Sequence, residues 1–501
     1  MRAAAVLLAV AALFSACWLL VHPPLPQLPN GDIYTSLGVA RHLAEGEGLL
    51  TDAVYPLFTA YPWGQTMPQP LIHRPPGLAV LLLPAWYLAG GDAVRTEALV
   101  RPLMALLLGL VALIGLAEMR RLGRLRAGPA WLLLLLLNPL LALAVHWGWS
   151  EIPCAVLLLA LWLAIRRRRP ADFSLVATVG YALLSALLAM TRGDVLWIPV
   201  LWWLISGLTD RRRRWAALAT RTALAGVVGV AALLPWWLHV SSYTGSPLAN
   251  PLTEAVQLDL SEEWWDYPLL RGREPVPLQE NLREHALPAL MKTLSGIRSY
   301  VRTLGVWLPW YVWMACIPLW LERSWLRIRR GHDPARAAGP PGLLLLTLAL
   351  MAIQYAFFSP ETRHMLPVLP IFAWEFVLLV DARLRSLARP ALRAAALAAM
   401  AAVAVLLSPP GLGGEGGNVQ TARELEPVVQ VETVRALALP PGPVFSDNAV
   451  VPWRTARAFV WSPYDAEVEA EIRAEVKGMA DAPWVRILPV GMVHPPHHGT
   501  Q

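Results

Sequence analysis

The chain has 501 residues, of which 56% are hydrophobic and 15% are charged, and it contains 24 Trp residues. An average soluble domain carries roughly 25% charged residues, so this composition excludes a soluble globular protein, a disordered chain and a collagen-like fibre. The net charge of +7 would suggest nucleic-acid binding in a soluble protein, but membrane proteins use basic residues to set their topology. We therefore predict an all-α polytopic membrane protein with no nucleic-acid partner.

Apolar runs of spanning length recur along the chain and predict about eleven transmembrane helices. They lie at 3–21, 99–118, 129–146, 151–165, 173–190, 194–208, 216–240, 305–321, 341–358, 365–380 and 391–407. We interpret the first run as an uncleaved span. The shorter run 77–90 begins after Pro75-Pro76 and ends at Gly90-Gly91, which favours a helix lying at the membrane interface.

Arginine-rich clusters support this count of spans. They lie at 120–126, 166–169, 211–214, 323–336 and 383–393 and hold half of the 42 Lys and Arg residues. With eleven spans all five clusters fall on one side, and the positive-inside rule makes that side the cytoplasm. We expect a multi-pass protein of the inner or plasma membrane, with a cytoplasmic N-terminus and an extracytoplasmic C-terminus.

Two large outer loops and a C-terminal tail then share the outer face. We predict a transmembrane domain over 1–408, with outer loops at 22–98 and 241–304, and a linker with a small extracytoplasmic α/β domain over 409–501. The Gly-rich segment 411–417 opens the linker. Within the small domain, the pattern predicts helices at 432–439 and 465–480 and strands at 443–447, 457–461 and 484–490.

Polar groups stand at the outer ends of several predicted spans. They are Asp32 and Tyr34 after the first span, His73 and Arg74 before the interfacial helix, Glu151 opening the fourth span, Arg192 and Asp194 between the fifth and sixth, and Arg363 and His364 before the tenth. Singly, such groups often cap helices or reach towards lipid head groups. Together they favour a site, because ionisable residues at membrane depth are costly. Cations there would hold a phosphate, and a carboxylate would accept a proton from an attacking hydroxyl.

Several short motifs occur in the same order as in a known family. Asp32 follows a short first span, the next helix ends in Gly46-Glu47-Gly48, and Arg74-Pro75-Pro76-Gly77 opens another helix. This order resembles the GT-C superfamily of lipid-dependent glycosyltransferases, and most closely its protein O-mannosyltransferase and aminoarabinose-transferase group. Further similar segments are Ser150-Glu151-Ile152-Pro153, Thr191-Arg192-Gly193-Asp194, the run from Arg363 to Pro370, and Val444-Phe445-Ser446-Asp447 followed by Trp453.

The resemblance implies transfer of a sugar from a polyprenyl-phosphate carrier to a protein, lipid or glycan acceptor outside the membrane. Asp32 would act as the general base. Arg74, Arg192, Arg363 and His364 would hold the lipid phosphate, Glu151 and Asp194 would position the arginines, and Tyr34 and His73 would contact substrate. The chain departs from the family pattern where Arg74 replaces a Lys and where Asn30-Gly31 stand in place of an acidic neighbour of Asp32. No metal ligand is predicted, and the missing acidic neighbour leaves the role of a divalent metal ion open.

Two other functions remain open from the sequence. A transporter or flippase of a lipid-linked substrate would also use polar groups in a helical bundle, although such proteins usually carry them near mid-membrane in paired halves. An oligosaccharide polymerase or ligase would share the donor class and differ in the size of the glycan that it transfers.

Overall fold

The computed structural model of the protein describes most of the chain in well-defined segments. These are residues 2–22, 31–54, 58–59, 61–209, 214–249, 286–307, 334–358, 362–384, 443–446, 450–455, 457–461, 466–476 and 485–486, with isolated positions at 283, 320–322, 324–325, 329, 391, 395–396 and 399. Helices dominate these segments, as the apolar runs predict. The expected spans 305–321 and 391–407 lie largely outside the described residues, as do most of the predicted loop 241–304 and the linker.

The first part of the chain folds into four helices with three short strands between the second and third. The helices are α1 (Arg2–Val21), α2 (Gly31–Ala44), α3 (Gly77–Leu88) and α4 (Ala93–Arg121), and the strands are β1 (Leu50–Thr51), β2 (Ala53–Val54) and β3 (Gln69–Pro70). Strands β1 and β3 pair antiparallel. The predicted first outer loop, 22–98, therefore contains two helices that pack on each other, α2 and α3.

Six helices follow in the middle of the chain. They are α5 (Gly128–Leu137), α6 (Pro139–His146), α7 (Glu151–Arg167), α8 (Leu175–Thr191), α9 (Trp197–Leu208) and α10 (Trp215–Thr244). The run 129–146, predicted as one span, is broken into α5 and α6, which meet at 57°. Pro139 has no N–H to continue the helical ladder, and Asn138 Oδ1 accepts the N–H groups of Leu140 and Leu141 at 3.0 Å, which starts α6 afresh.

Three long helices are described in the following part. They are α11 (Ala286–Trp307), α12 (Pro334–Phe358) and α13 (Leu369–Arg383). Helix α11 begins inside the predicted second outer loop. Helix α12 is interrupted at Gly339, whose φ of 55° and ψ of −160° are not helical. A 3₁₀ helix over Thr362–Val368 leads into α13 and brings the predicted Arg363 and His364 close to the start of that helix.

Length and hydropathy identify the membrane-crossing candidates. Among the described residues, four helical segments are long and apolar enough to span a bilayer: Ala93–Arg121, Trp215–Thr244, Gly339–Ala356 and Arg363–Arg383. The bent pair α5–α6 would add a fifth. Several other predicted spans form shorter apolar helices. Helix α3, with 12 residues, would measure roughly 18 Å, against a hydrocarbon core of roughly 30 Å, so its length is consistent with the interfacial position predicted for it.

The described C-terminal segments contain three short strands and two helices. Strands β4 (Val444–Ser446), β5 (Phe459–Trp461) and β6 (Val485–Arg486) fall within the three predicted strands, and α14 (Val450–Thr455) and α15 (Ala466–Glu475) accompany them. The four-stranded sheet has the order β2-β5-β4-β6 with parallel pairing throughout. One of its strands, β2, therefore comes from the predicted first outer loop. The expected helix 432–439 lies outside the described residues.

Tryptophan is the characteristic residue of the helical core. Trp18, Trp131, Trp162, Trp202 and Trp374 are among the largest fully buried side chains. A buried indole N–H needs an acceptor, and four of these five have one, as in the bond of Trp202 to the hydroxyl of Thr347 at 2.8 Å. The abundant Trp residues thus pack apolar surface while their N–H groups cross-link neighbouring helices.

Candidate functional site

Arg192 lies at the centre of an ion cluster between the start of α7 and the end of α8. Its Nη1 donates to Glu151 Oε1, and its Nε lies 3.0 Å from Asp194 Oδ1. The Arg192 side chain is 13% exposed and that of Glu151 only 4%. A buried charge is stable only when it is paired, so each of these two residues requires the other. The structure thus brings together three of the predicted site residues.

Tyr355 and His364 extend this cluster from the other side. The Tyr355 hydroxyl donates to Asp194 Oδ2 at 2.6 Å, and its ring lies 4.5 Å from the His364 ring, centroid to centroid. The Arg192 guanidinium also lies over the Tyr355 ring at 5.8 Å. Tyr355 was not predicted from sequence, because it stands inside an apolar run with no polar neighbour other than Gln354 to mark it.

The start of α3 packs directly on the turn that carries Arg192. A Cβ added to Gly77 would lie 2.4 Å from the Met190 carbonyl oxygen, so only glycine permits this approach. Nearby, the side chain of Pro75 faces Gly193. Arg74 therefore immediately precedes a segment that is in contact with the turn over 190–193.

His73 has an aromatic contact with the first predicted loop. It is buried, and its ring lies 5.2 Å from the ring of Phe58, centroid to centroid. His73 is adjacent to Arg74 in the sequence, and in the structure its ring packs on an aromatic side chain of the first predicted loop.

Arg363 reaches the same end of α7 through an aromatic contact. Its guanidinium lies 5.5 Å from the centroid of the Trp149 ring, within the range of a cation–π interaction. Trp149 in turn packs edge-to-face on Trp147. Trp149 lies two positions before α7 begins at Glu151, so this contact connects the 3₁₀ helix before α13 to the segment that leads into the Arg192 cluster.

The first turn of α2 is placed next to this region. Gly148 has a φ of 65°, and a Cβ added there would lie 3.0 Å from Ile33 Cδ1 and 2.8 Å from Val100. Ile33 therefore packs on the turn that leads to Trp149 and Glu151. Asp32 precedes Ile33 within α2; the direction of its side chain lies outside the described part of the protein.

Tyr34 takes part in a different cluster. Its hydroxyl donates to Glu97 Oε1 at 2.9 Å, and Arg454 of α14 donates to both oxygens of the same carboxylate at 2.8 and 2.9 Å. Trp453 lies 6.5 Å from the Tyr34 ring. Tyr34 thus joins the C-terminal region to α2 and α4 through Glu97.

A second group of polar side chains, around Arg101, gathers at the end of α1. Arg101 donates to the carbonyls of Leu19 and His22, and its guanidinium lies 5.6 Å from the Trp18 ring centroid. His146 lies 5.2 Å from the same ring. These residues come from α1, α4 and α6, and only tertiary packing brings them together.

One group of side chains has the composition of a metal site. His42, Glu45 and Glu47 offer ligand atoms within 4.8 Å of one another. However, His42 Nδ1 already bonds Glu47 at 2.5 Å and its Nε2 bonds Asp52 at 3.0 Å. Burial lowers the pKa of His42, but the hydrogen bonds and charges of Asp52 and Glu47 outweigh burial and raise it above the ordinary value of 6.5. A metal needs the neutral imidazole, so these residues fit a divalent ion poorly.

The charges around Arg192 indicate one role for Arg192 and a different role for the nearby Arg74 and Arg363. Glu151 and Asp194 together balance the charge of Arg192 with one negative charge in excess. Arg192 is therefore held in place, and its contribution to an incoming anion is small. Arg74 and Arg363 are partly exposed, and both belong to segments that lie beside this cluster. The arrangement suits an anion that approaches from the side of Arg74 and Arg363.

Comparison with known proteins gives the fold a context. No family model matches the chain, and no curated protein matches its sequence. Among solved structures, it is similar to ArnT from Cupriavidus metallidurans in the apo state, with 15% identity, a TM-score of 0.52, and coverage of 95% of this chain and 89% of that one. The same ArnT bound to undecaprenyl phosphate gives 15% identity, a TM-score of 0.54, and coverage of 97% and 90%.

A third structure widens the comparison. The Archaeoglobus fulgidus oligosaccharyltransferase, in complex with Zn and sulfate, gives 14% identity and a TM-score of 0.54, and the match covers 91% of this chain and 62% of that one. The chain therefore shares its fold with ArnT and with the archaeal oligosaccharyltransferase. The GT-C resemblance predicted from Asp32, Arg74-Pro75-Pro76-Gly77 and the later motifs is therefore confirmed at the level of the fold.

Proposed function

We propose that the protein transfers a sugar from a polyprenyl-phosphate carrier to an acceptor on the outer side of the membrane. The observation that carries this proposal is the convergence of the Arg192 cluster, Arg363 and the first turn of α2 at one end of α7, in a chain with the GT-C fold. The similarity to ArnT bound to undecaprenyl phosphate supports a polyprenyl-phosphate donor.

Arg74 and Arg363 would make the direct contacts with the donor phosphate. A guanidinium presents two parallel N–H groups that match phosphate oxygens. His364 would add a third donor next to Arg363. Arg192, fixed by Glu151 and Asp194, would act as a positioning residue that fixes the 190–195 turn against Pro75 and so sets the place of Arg74.

Asp32 would act as the general base. The acceptor hydroxyl or amine gives its proton to the Asp32 carboxylate while its oxygen or nitrogen forms a bond to the anomeric carbon. The bond from that carbon to the phosphate oxygen breaks at the same time, and the polyprenyl phosphate leaves with the electron pair. Positive groups beside the departing phosphate stabilise the charge that develops there, so they lower the barrier of this step.

The decisive test is transfer by an Asp32→Asn variant in membranes, with a labelled polyprenyl-phosphate sugar as donor. General-base catalysis is worth roughly 10²–10⁴ in rate, so we expect a loss of that size at equal expression. Asp92→Asn is the matched control, because Asp92 caps the start of α4 through the N–H of Arg95 at 2.7 Å. Full transfer by Asp32→Asn would overturn the role of Asp32.

A proteoliposome assay separates the transferase from the flippase alternative. Purified protein is given a labelled lipid-linked sugar on one side and is assayed for product and for crossing. We expect a glycosylated acceptor. Crossing of the labelled lipid without any glycosyl product would contradict the proposal. Donors that carry one sugar and several sugars, assayed in parallel, measure the size of the transferred glycan.

A further inference from the structure

A cavity of about 400 Å³ lies at the end of α7 that is opposite Glu151. Its walls come from the last turn of α7, the end of α9 and the broken start of α12. The run Arg166–Arg169 forms one side of it, and the non-helical Gly339 forms part of another. In the sequence this run is one of the five arginine clusters that predict the cytoplasmic side.

The arginines around this cavity exceed the carboxylates that pair with them. Arg166 bonds Glu375 at 2.9 Å and Arg167 bonds Glu118 at 2.6 Å. Asp172, which also lines the cavity, pairs with Arg214 at 2.6 Å. Within the described part of the chain, neither Arg168 nor Arg169 has a carboxylate partner. The cavity therefore has an excess of positive charge.

Some of these side chains are fixed before any ligand arrives. Arg166 lies over the ring of Trp374 at 4.8 Å while its Nε is bonded to the buried Glu375. Arg169 Nη1 donates to Ser206 O at 3.3 Å and to Thr209 Oγ1 at 3.2 Å, which are neutral acceptors. Each guanidinium has five N–H groups, so donors remain for an anion, and their fixed positions reduce the entropy that binding would cost.

The remaining lining of the cavity is apolar. Trp162 and Ile165 belong to α7, Ile205 to α9 and Leu343 to α12. A cavity that offers guanidinium groups on one side and apolar side chains on another fits a molecule with a phosphate head and a hydrocarbon tail. Basic pockets between transmembrane helices on the cytoplasmic side recognise anionic lipid head groups by this chemistry.

We propose that this cavity is a binding site for the phosphate head group of an anionic phospholipid, separate from the site of sugar transfer. Arg168 and Arg169 contact the phosphate, and Trp162, Ile165 and Leu343 contact the start of an acyl chain. The site does not depend on the proposed donor chemistry, because it lies at the other end of α7 from Arg192.

Lipid binding by the full-length protein in detergent tests the proposal. Native mass spectrometry would measure binding of phosphatidylglycerol against phosphatidylcholine of the same chain length. For the double variant Arg168→Gln/Arg169→Gln, we expect phosphatidylglycerol affinity to fall about 30-fold, while phosphatidylcholine binding stays unchanged. Arg120→Gln/Arg126→Gln is the matched control, because both residues are exposed on the same predicted face and do not line the cavity.

Several results would overturn the proposal. One is an equal loss of phosphatidylglycerol affinity in the double variant and in the control variant. Another is equal affinity of the unmodified protein for phosphatidylglycerol and phosphatidylcholine. Inorganic phosphate, titrated alone and as a competitor, distinguishes the sources: binding of phosphate as tight as that of the lipid would contradict a lipid site. If the double variant misfolds, Arg168→Lys/Arg169→Lys retains the charge and should keep most of the lipid preference.

Discussion

At its first residue, α7 supplies the buried Glu151 to a cluster in which one arginine, Arg192, is shared by two carboxylates. At its last turn, the same helix supplies Arg166 and Arg167, which meet two buried carboxylates in a region where arginines are in excess. Glu118 at that end has two partners, since Arg121 also bonds it. Among the described residues, Glu151 has a single cationic partner. Loss of Arg192 would therefore leave Glu151 without a cation at the first end of α7. Loss of either Arg121 or Arg167 would leave Glu118 with one cation at the other end.

Arg192 and Arg167 give the largest expected contrast. Arg192→Gln leaves Glu151 as an unpaired buried carboxylate and releases the 190–195 turn, so we expect transfer to fall about 10²–10³-fold. Arg167→Gln leaves Glu118 paired with Arg121, so we expect transfer per folded molecule to stay within about twofold. Transfer assays on purified protein, normalised to the monodisperse fraction, compare the two. Equal losses in both variants would remove the distinction between the ends of α7.

Glu118 is expected to matter for stability and not for transfer. Glu118→Gln removes the charge that holds Arg121 and Arg167 together, and charge-assisted hydrogen bonds are worth about 2 kcal/mol. We expect a lower melting temperature in detergent and an unchanged transfer rate below that temperature. Loss of transfer without loss of stability would place this end of α7 in the catalytic machinery.

Tyr355 tests whether the aromatic side of the Arg192 cluster is functional. Tyr355→Phe keeps the ring packed against His364 but removes the 2.6 Å hydrogen bond to Asp194. One such bond is worth about 1 kcal/mol, so we expect roughly a fivefold loss of transfer, with substrate affinity and rate measured separately. A variant indistinguishable from the unmodified protein would show that Arg192 and Glu151 alone position the turn.

His42 provides the smallest expected effect, and it is confined to the region of the first predicted loop. Its folded-state pKa is raised above 6.5, so its contribution to stability is complete below that value and is lost as the pH rises through the folded-state pKa. We expect the melting temperature to fall as the pH rises through the folded-state pKa of His42. In His42→Gln, the melting temperature should depend less on pH between about pH 5.5 and 8.5. An unaltered slope in His42→Gln would assign the titration to another group.

The positions of single elements are predictable from this sequence because a helix at membrane depth must satisfy its own backbone hydrogen bonds. The apolar runs that fall on described residues, and the Arg74-Pro75-Pro76-Gly77 motif, therefore indicate helices correctly, apart from the break in the run 129–146. The break at Asn138-Pro139 is also visible in the sequence, as a capping residue followed by a proline. It escaped prediction because the surrounding run is uniformly apolar.

Pairings between distant segments are not predictable in the same way. Glu151 and Arg192 are 41 residues apart, and Tyr355 and Asp194 are 161 apart, and nothing local encodes either contact. Tyr34 shows that two residues close together in the sequence need not belong to the same site. It follows Asp32 by two positions, but residues two apart on a helix do not share a face, and Tyr34 turns to Glu97 and Arg454.

Strand β2, with Ala53 and Val54, pairs along its length with β5, which lies some four hundred residues later in the chain. A ribosome adds some four hundred residues to the chain after β2 before β5 exists, so until then the backbone groups of β2 that pair with β5 lack that partner. Such long-range strand pairing is slow and exposes an edge in the meantime. Biogenesis of this protein is therefore most vulnerable late, when every predicted span has been made and the sheet has not yet closed.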